Sequence, residues 1–545
     1  MKQLITLLIC LTTQFLFAQN SNYLMPMRLL PVLSGNFGEI RSGHLHSGLD
    51  FKTQGRTGFP VRAMADGYIS KIFVSYGSGY MLHVTYNNGY TAIYRHNEGF
   101  PPKIARYTRN YQYEHEVDLC EIDVPEGVLP VVRGEIIAKS GNEGYSMGPH
   151  LHLDLYETST GDWVDPLPHL AQSIADHRAP QAKSIFLVEQ PGRGIILGRE
   201  RISNLSAVNE SIDCWGEIGV AIDADDYMDG AWNKLGVKYI RLTVDGREVY
   251  RSELNRFSRA ENRIMYSWLV RGHLKSYIEP GAQLRFIHTD KNRGILHIDE
   301  ERDYKLQYTL KDEAGNESNY SFVLRGKQTS IPQINYGDAR CLKWNQANDL
   351  SMPGMQLVLP RGVLTNDEYV NPSMEAASDA TSVRYILSGE PLLLAGSCEL
   401  QIALRRIKGI DNPKYYYIAS YEDGKKKYVG GKCKNGFITA SIDRLSTYFL
   451  EVDTVAPVIT PVGSPKTWEK QGVITFSIQD GQTSVMSYKG KIDGRFELFH
   501  LRRRTGRITC NLNECKLTRG TTHTLEMVAT DACGNASVYR TTFIW

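Results

Sequence analysis

The sequence has little of several features that would indicate a function by themselves. Its 545 residues carry almost no excess of charge, since 62 lysines and arginines stand against 60 acidic residues, and no dense basic run is interleaved with aromatic residues. This balance argues against a nucleic-acid partner. After the apolar run from Leu4 to Phe17 no second long hydrophobic run follows, and the first is short for a bilayer. We therefore expect no transmembrane segment after signal cleavage.

The cysteines exclude one class of site. None of the nine forms a CxxC pair, so a structural zinc knuckle is not expected. Cys510 and Cys515 are close enough in sequence to close a small disulfide loop in an oxidising compartment, and Cys533 competes for the same bond. Buried free thiols are the expectation for most of the others.

The first residues have the pattern of a secretory signal peptide. Lys2 supplies the positive start, the apolar run follows, and Ala18 precedes the expected cleavage point. The sequence thus predicts a signal peptide at residues 1–18. It also predicts an exported protein that is periplasmic, associated with the cell envelope, or extracellular.

Short β-type runs make up most of the chain. Segments rich in Val, Ile, Tyr and Thr alternate with Asp-Gly, Asn-Gly and Gly-Gly turns, while helical periodicity is almost absent. The Asp245-Gly246 pair, for example, predicts a type I′ hairpin, in which both central residues need positive φ. We predict a mainly β chain, and its length requires several domains.

An internal repeat divides the C-terminal part. The form D-x-x-A-P occurs at residues 176–180 and 453–457, and the form D-x-x-G-N-x-S occurs at residues 312–318 and 531–537. These paired openings and closings resemble bacterial immunoglobulin-like modules in two stretches of the C-terminal part. Strand signals between them, at about residues 331–452, predict another sandwich-like domain, so about three β-sandwich domains are expected after the N-terminal one. We expect modest interfaces between the units, and a protein or wall partner for the C-terminal ones. The predicted domains are residues 19–175, 176–330, 331–452 and 453–545.

Two histidines at strand spacing indicate the chemistry of the N-terminal domain. They belong to the run G-P-H-L-H at residues 148–152. In a strand, residues two apart point to the same face about 6.5 Å from each other, so His150 and His152 can share one pocket. One imidazole can then bind a metal while its neighbour addresses a bound water or the substrate.

A second element supplies a carboxylate. His46 and Asp50 would lie about 13 Å apart on a straight strand, too far to share one ion, but Gly48 allows a sharp bend between them. Together with His152 they make two imidazoles and one carboxylate, the three-ligand pattern of a catalytic zinc ion with an open position. His44 is a rival ligand by proximity, although it lacks the four-residue spacing to Asp50.

These elements, with Y-x-H at residues 94–96, resemble the M23 family of zinc endopeptidases, the lysostaphin and LytM group. The pattern is H-x-x-x-D, then Y-x-H, then G-P-H-L-H, and this chain has all three in that order. The resemblance covers about residues 34–168. It implies an N-terminal M23 peptidase domain built on an antiparallel β-sheet.

Carried over to this sequence, the resemblance implies one zinc ion with the ligands His46, Asp50 and His152. His150 would take the proton of the zinc-activated water, and His96 would hydrogen-bond the oxyanion or assist proton transfer. The implied activity is that of a secreted metalloendopeptidase that hydrolyses peptide bonds in peptidoglycan cross-links. The alternative is a catalytically silent LytM-type regulator, or a cell-wall-binding, adhesin-like protein.

The sequence allows two interpretations for each of two segments. The insertion at about residues 101–129 is rich in Tyr and Arg; an ordinary hairpin is predicted, with contact to a peptide or glycan as the alternative. The acidic run at residues 223–230 departs from the calcium-loop pattern. An acidic surface loop is predicted there, with calcium binding as the alternative.

Overall fold

The structure is a computed structural model that describes residues 23–170, 174–203, 211–378, 380–422, 424–502 and 505–545. The predicted signal peptide lies outside the described residues. Strands make up 50% of the structure and helices 8%, which confirms the predicted mainly β class. No helix in the described part of the chain is long and apolar enough to cross a membrane. The domain boundaries and the immunoglobulin-like character of the C-terminal units stay predictions.

The N-terminal part is built on an antiparallel sheet of ten strands. His150–Glu157 pairs with Gly48–Lys52 on one side and with Tyr90–Asn97 on the other. The remaining strands of this sheet are Leu33–Gly35, Gly67–Ser75, Gly79–Tyr86, Cys120–Asp123, Pro130–Val131, Trp163–Val164 and Arg256–Phe257. Two small sheets accompany it, Ile40–Arg41 with His44–Leu45 and Pro60–Arg62 with Ile136–Lys139.

A second sheet has eleven strands. Ser211–Asp225 pairs antiparallel with Gln181–Leu197 and parallel with Glu317–Gly326, the strand that follows the first closing motif. The predicted turn is confirmed, since Asp245 and Gly246 have φ values of 49° and 80° and join two paired strands. The other strands are Arg201–Ile202, Tyr239–Val244, Arg247–Glu253, Leu269–Val270, His273–Lys275, Ile287–Thr289, Leu296–Ile298 and Asp303–Lys311.

The rest of the chain forms smaller sheets around two further large hydrophobic cores, and a small third cluster contains Tyr417, Ala419, Phe449 and Cys533. Around the first core, the strands are Arg340–Leu342, Asn348–Asp349, Met355–Gln356, Val358–Leu359, Glu368–Val370, Ser373–Glu375, Arg384–Ile386, Leu392–Ala403, Tyr416–Glu422, Lys425–Gly430, Lys432–Lys434, Phe437–Leu445 and Thr447–Val452. Around the second core, they are Val458–Pro461, Val473–Gln479, Val485–Ile492, Arg495–Glu497, His500–Arg502, Arg507–Asn511, Thr522–Asp531 and Ala536–Ile544.

The hydrophobic core of each large sheet includes side chains from the other part of the chain. Phe37 and Leu45 of the N-terminal part lie in the core of the eleven-stranded sheet. In return, Met228, Ala231 and Leu235 lie in the core of the ten-stranded sheet. The expectation of modest interfaces is wrong here, because each core includes buried side chains of the other part.

The insertion forms an α-helix, α1 (Pro102–His115), and the predicted hairpin is wrong. The buried positions of α1 are Ile104, Thr108 and Gln112, four residues apart. Two of these three are polar, so no apolar helical periodicity shows in the sequence. Burial is tolerated because the Thr108 hydroxyl donates to the Ile104 carbonyl and the Gln112 amide donates to the Asp118 carbonyl. The other α-helices of the described residues are α2 (Arg259–Arg263) and α3 (Pro465–Gln471).

The outer face of α1 contacts the C-terminal module, residues 453–545. The Arg109 guanidinium pairs with Glu514 at 2.5 Å, and the Tyr113 hydroxyl donates to Glu497 at 2.8 Å. Both belong to the Tyr- and Arg-rich insertion, for which contact with a peptide or glycan is the alternative prediction. They are engaged within the chain instead.

Asp118, just beyond α1, is buried in the same interface. Its Oδ1 accepts a hydrogen bond from the backbone N–H of Phe499, while Oδ2 is buried with no hydrogen-bond partner among the described residues. Burial raises the pKa of Asp118 to about 7. The carboxyl is therefore more easily accommodated in its neutral form than as a carboxylate.

Because the pKa of Asp118 is raised, its contribution to stability is present below about pH 4 and is lost as the pH rises through about 7. Between about pH 5 and about pH 8, we expect the free energy of unfolding of the wild type to fall by about 2–3 kcal/mol relative to Asp118→Asn. Chemical denaturation at each pH measures this difference. Glu126→Gln, at an exposed position, is the control, and equal pH profiles for wild type and Asp118→Asn would contradict the assignment.

The cysteines of the described part are all free thiols. The Sγ atoms of Cys510 and Cys515 are 3.5 Å apart and unbonded, and Cys533 is buried and free. The disulfide loop considered from the sequence is therefore not formed. Four of the eight thiols are buried, as expected for cysteines that pack as small apolar side chains.

Candidate metal centre

The predicted metal ligands meet on one face of the ten-stranded sheet. His152 is directly opposite Asp50 in the pairing of their strands, and opposite residues of an antiparallel pair share a face. His46 comes from the adjoining hairpin. Asp50 Oδ1 lies 2.9 Å from His152 Nδ1 and 3.2 Å from His46 Nε2, and the two ring nitrogens are 3.0 Å apart.

The spacing of these atoms fits zinc. Ligand atoms bound about 2.0–2.1 Å from a tetrahedral zinc ion are about 3.3 Å from each other. The three donor atoms, 2.9–3.2 Å apart, are close to that arrangement without any rearrangement of the backbone. Two imidazoles and one carboxylate are also a donor set of catalytic zinc sites, which keep a fourth position for water or substrate.

Gly48 serves a different purpose from the predicted bend. Its φ is outside the left-handed region, and it begins the regular strand Gly48–Lys52. A Cβ atom at Gly48 would lie 2.1 Å from the carbonyl oxygen of Leu153 on the neighbouring strand. The chain turns earlier, in the hairpin where the His46 N–H donates to the Glu39 carbonyl. Glycine is therefore required here for close strand approach.

Three of the four histidines are oriented by backbone carbonyls. A carbonyl oxygen can only accept a hydrogen bond, so Nδ1 carries the proton in each of these rings and the lone pair is on Nε2. In His46 that lone pair faces Asp50 and His152, as a metal ligand requires. The Nδ1-to-oxygen distances are 2.7 Å for His46 and Asn36, 2.8 Å for His150 and Gly148, and 2.8 Å for His96 and Glu143.

His152 is oriented the other way round, with Nδ1 towards the site. Its Nε2 lies 2.6 Å from Asp154 Oδ1, and the fully buried Asp154 also accepts from Arg95 Nε at 2.7 Å and the Ser47 hydroxyl at 2.6 Å. Burial acts to lower the pKa of His152, but Asp154 and Asp50 outweigh it and raise the pKa to about 9. A carboxylate behind a ligating histidine fixes the ring and increases its basicity.

We expect Asp154→Asn to weaken zinc affinity by about 10–100-fold, because the amide cannot replace the charge that orients His152. Competition with a chelator of known affinity measures the change. Asp162→Asn is the matched control, since Asp162 is a buried carboxylate held by two arginines away from the site. An equal loss of zinc affinity in both variants would show a general effect of removing a buried charge, and would contradict the role of Asp154 in orienting His152.

His96 reaches the site through a bulge in its strand. In the pairing with the central strand, Arg95 is opposite His152, so regular alternation would turn His96 to the other face. The register shifts next to it, and His96 has a φ of 61°. A bulge of this kind re-aims a side chain, and the ring centroid of His96 lies 4.9 Å from that of His150.

His150 and His96 are uncharged near neutral pH, chiefly because both are buried. Burial lowers the pKa of His150 despite the opposing charge of Asp50. Burial and the rings of His152 and His150 lower the pKa of His96 to about 3. Burial acts to raise the pKa of Asp50, but His46 and His152 hold it well below its usual range. Near neutral pH the site thus contains a carboxylate ligand and two uncharged proton acceptors.

Arg41 and Asp154 support the site and are absent from the sequence prediction, which includes His44 as a rival ligand. Arg41 Nη2 lies 2.5 Å from Asp50 Oδ2, which leaves Oδ1 directed at the histidines. His44 is exposed and is not part of the cluster. Asp154 continues the alternation of His150 and His152 on one face of the strand, and this spacing was a usable signal. Arg41 carries no such signal.

Parts of the chain are similar to solved structures of peptidases and of one complex. The catalytic domain of lysostaphin from Staphylococcus simulans is 26% identical, with 26% of this chain and 93% of that chain covered and a TM-score of 0.20. A zinc-containing peptidase from Vibrio cholerae is 23% identical, with 28% and 40% covered and a TM-score of 0.20. The SpoIIQ–SpoIIIAH pore-forming complex is 20% identical, with 27% and 90% covered and a TM-score of 0.21.

A Zu5-like domain model matches residues 339–453. No protein with a curated description matches this chain. Each of these similarities covers well under half of the chain, so they describe parts of it and not the whole protein.

Proposed function

We propose that this chain is an exported zinc metalloendopeptidase that hydrolyses peptide bonds in peptidoglycan cross-links. The observation that carries the proposal is the cluster of two imidazole nitrogens and one carboxylate oxygen, 2.9–3.2 Å apart, beside two neutral imidazoles. Three protein ligands leave a position for water, as catalytic and not structural zinc sites do. The M23-like motifs suggest the class of substrate.

In this proposal, His150 transfers the protons and Asp50 stabilises the charge that forms on it. Zinc in this site would polarise the scissile carbonyl and lower the pKa of water towards about 7. His150 accepts the proton of the attacking water at Nε2, because its Nδ1 already donates to the Gly148 carbonyl. Asp50 Oδ1, 3.5 Å from that Nε2, stabilises the resulting imidazolium. The same proton can pass to the leaving amine.

His96 is suited to assist proton transfer. Its Nδ1 proton is committed to the Glu143 carbonyl, so neutral His96 presents a lone pair and not an N–H group at Nε2. An oxyanion needs a hydrogen-bond donor. Of the two roles implied by the motifs, we therefore favour an acceptor that orients water or a substrate N–H group.

Digestion of purified sacculi by the zinc-loaded full chain tests this function. We expect soluble fragments with newly freed amino and carboxyl groups at peptide cross-links, and none from the chelator-treated protein. Mass spectrometry of the released muropeptides identifies the bond that is cut. Products of glycan cleavage alone would contradict the proposal.

A silent regulator or wall-binding protein is the second candidate, and one contact favours it. Arg502 of the C-terminal module lies 3.6 Å from Glu143, the residue whose carbonyl holds His96. The module therefore reaches the loop beside the site. This candidate predicts that the zinc-loaded protein binds sacculi without releasing peptides, which the same digestion distinguishes.

A further inference from the structure

Three carboxylates from distant parts of the chain meet in the region of the first repeat. Asp176 opens the repeat, Asp312 begins its closing motif, and Asp226 follows the strand Ser211–Asp225. One carboxylate oxygen of each lies within 4.8 Å of the other two. Asp226 is only 4% exposed, so the acidic surface loop predicted for this run is wrong at its centre.

Two of these residues have a structural task that needs no ligand. Asp312 accepts hydrogen bonds from the backbone and side-chain amides of Asn316 at 2.8 and 2.7 Å. The Asn316 side chain also donates to the backbone carbonyl of Asp176 at 3.2 Å. These bonds join the opening and closing motifs, which accounts for the occurrence of both in each repeat.

Asp226 belongs to neither motif, and its burial is only partly compensated, by a hydrogen bond from the backbone N–H of Tyr227. Its Oδ1 is buried with no hydrogen-bond partner, and no ion pair within the described residues includes any of the three carboxylates. Burial and the charges of Asp312 and Asp176 raise the pKa of Asp226 to about 8. The nearby Arg178 guanidinium donates to the Ala231 carbonyl at 3.3 Å and stacks on Tyr227.

We propose that Asp176, Asp226 and Asp312 bind a calcium ion. The donor atoms are all carboxylate oxygens, which suit a hard cation and not zinc. Calcium takes six to eight oxygen ligands at about 2.3–2.6 Å in a flexible geometry, which suits three carboxylates contributed by separate segments, whereas magnesium demands a near-ideal octahedron at about 2.0–2.1 Å. A carboxylate oxygen without a hydrogen-bond partner, buried beside two others, gains a directly bound counter-charge from the ion, whereas the nearby Arg178 guanidinium is directed at the Ala231 carbonyl.

Such an ion would also strengthen the contact with the N-terminal part. Directly after Asp226, the residues Met228, Ala231 and Leu235 enter the core of the ten-stranded sheet. Calcium would therefore tie the start and end of the repeat to the segment that docks on the peptidase-like sheet. Its effect is expected on stability and not on the chemistry at the zinc site.

The second repeat offers an internal comparison. Asp453, Asp480 and Asp531 form a matching cluster. There, however, Thr483 donates its hydroxyl to Asp453 at 2.8 Å and its backbone N–H to Asp480 at 2.6 Å. These hydrogen bonds satisfy carboxylate oxygens of that cluster from within the chain, and the proposal covers the first repeat only.

Calcium titration of the full-length, zinc-loaded chain tests the proposal, by calorimetry and by the thermal midpoint. We expect saturable calcium binding that raises the midpoint of the wild type. Asp226→Asn, which keeps the shape and removes the charge, should weaken this event by at least about tenfold. Asp223→Asn is the matched control, because Asp223 lies on the preceding strand and outside the cluster.

Circular dichroism and zinc content show whether each variant is folded. If Asp226→Asn fails to fold, Asp176→Asn, at a half-buried position, replaces it with the same expectation. The proposal is overturned if the wild type binds no calcium at millimolar concentration, or if Asp223→Asn loses binding while the cluster variants keep it. Equal affinity for magnesium would also overturn it.

Discussion

Zinc binding is expected to be lost when Asp50 is replaced by asparagine, and hydrolysis should fall to the level of the metal-free protein. Asp50 Oδ1 lies within 3.5 Å of ring nitrogens of His46, His150 and His152, so Asp50→Asn removes a negative charge that faces all three histidines. A neutral amide oxygen is a much weaker zinc ligand than a carboxylate. Zinc content after dialysis and fragment release from sacculi measure the two effects.

His44→Ala is the control for this variant. It removes a histidine two positions from His46 that is exposed and outside the cluster, so zinc content and activity should stay at the wild-type level. Loss of zinc from His44→Ala but not from Asp50→Asn would overturn the assigned ligand set. Such a result would identify His44 as a zinc ligand.

The second large effect is expected for His150→Ala, which should retain zinc and lose about 10²–10⁴-fold in kcat. His150 touches Asp50 without being needed to hold the metal, and its Nε2 lone pair is the available proton acceptor. Removing it leaves the three ligands in place but takes away the imidazole assigned as the base for the attacking water. Zinc content and kcat have to be measured on the same preparation.

His83→Ala is the matched control, because His83 is a half-buried histidine of the same sheet that contacts Phe73 and Tyr156 and not the cluster. It should keep both zinc and activity. Activity that survives His150→Ala would remove His150 from the role of base. His96→Ala then becomes the informative variant, since His96 offers the other neutral Nε2.

Much of the candidate site could be read from local patterns. The alternation of His150 and His152 needs only strand geometry, and the structure places both side chains beside Asp50. Asp154 obeys the same alternation and was overlooked, although its position two residues beyond His152 pointed to a supporting role. The alternation within this one strand therefore points to three residues of the site: His150, His152 and Asp154.

Other features had no local signal. The helix α1 buries Thr108 and Gln112, whose hydrogen bonds to nearby carbonyls are invisible to a hydrophobic pattern. The carbonyls that orient His46, His150 and His96 are backbone groups, and residue type does not predict them. His96 itself lies out of phase with its strand, and only the bulge brings it to the site.

The sequence by itself determined the mainly β class, the order of the motifs and the residue types available to hold a zinc ion, because these depend on composition and on spacing within one strand. Tertiary structure alone decided that Asp50 is opposite His152, 102 positions away, and that Gly48 admits the neighbouring strand instead of forming a bend. It also decided that the cores of the first two parts share side chains, and that Asp226 joins Asp176 and Asp312. The reason is the same in each case: cross-strand register and packing join residues whose separation along the chain leaves no local pattern.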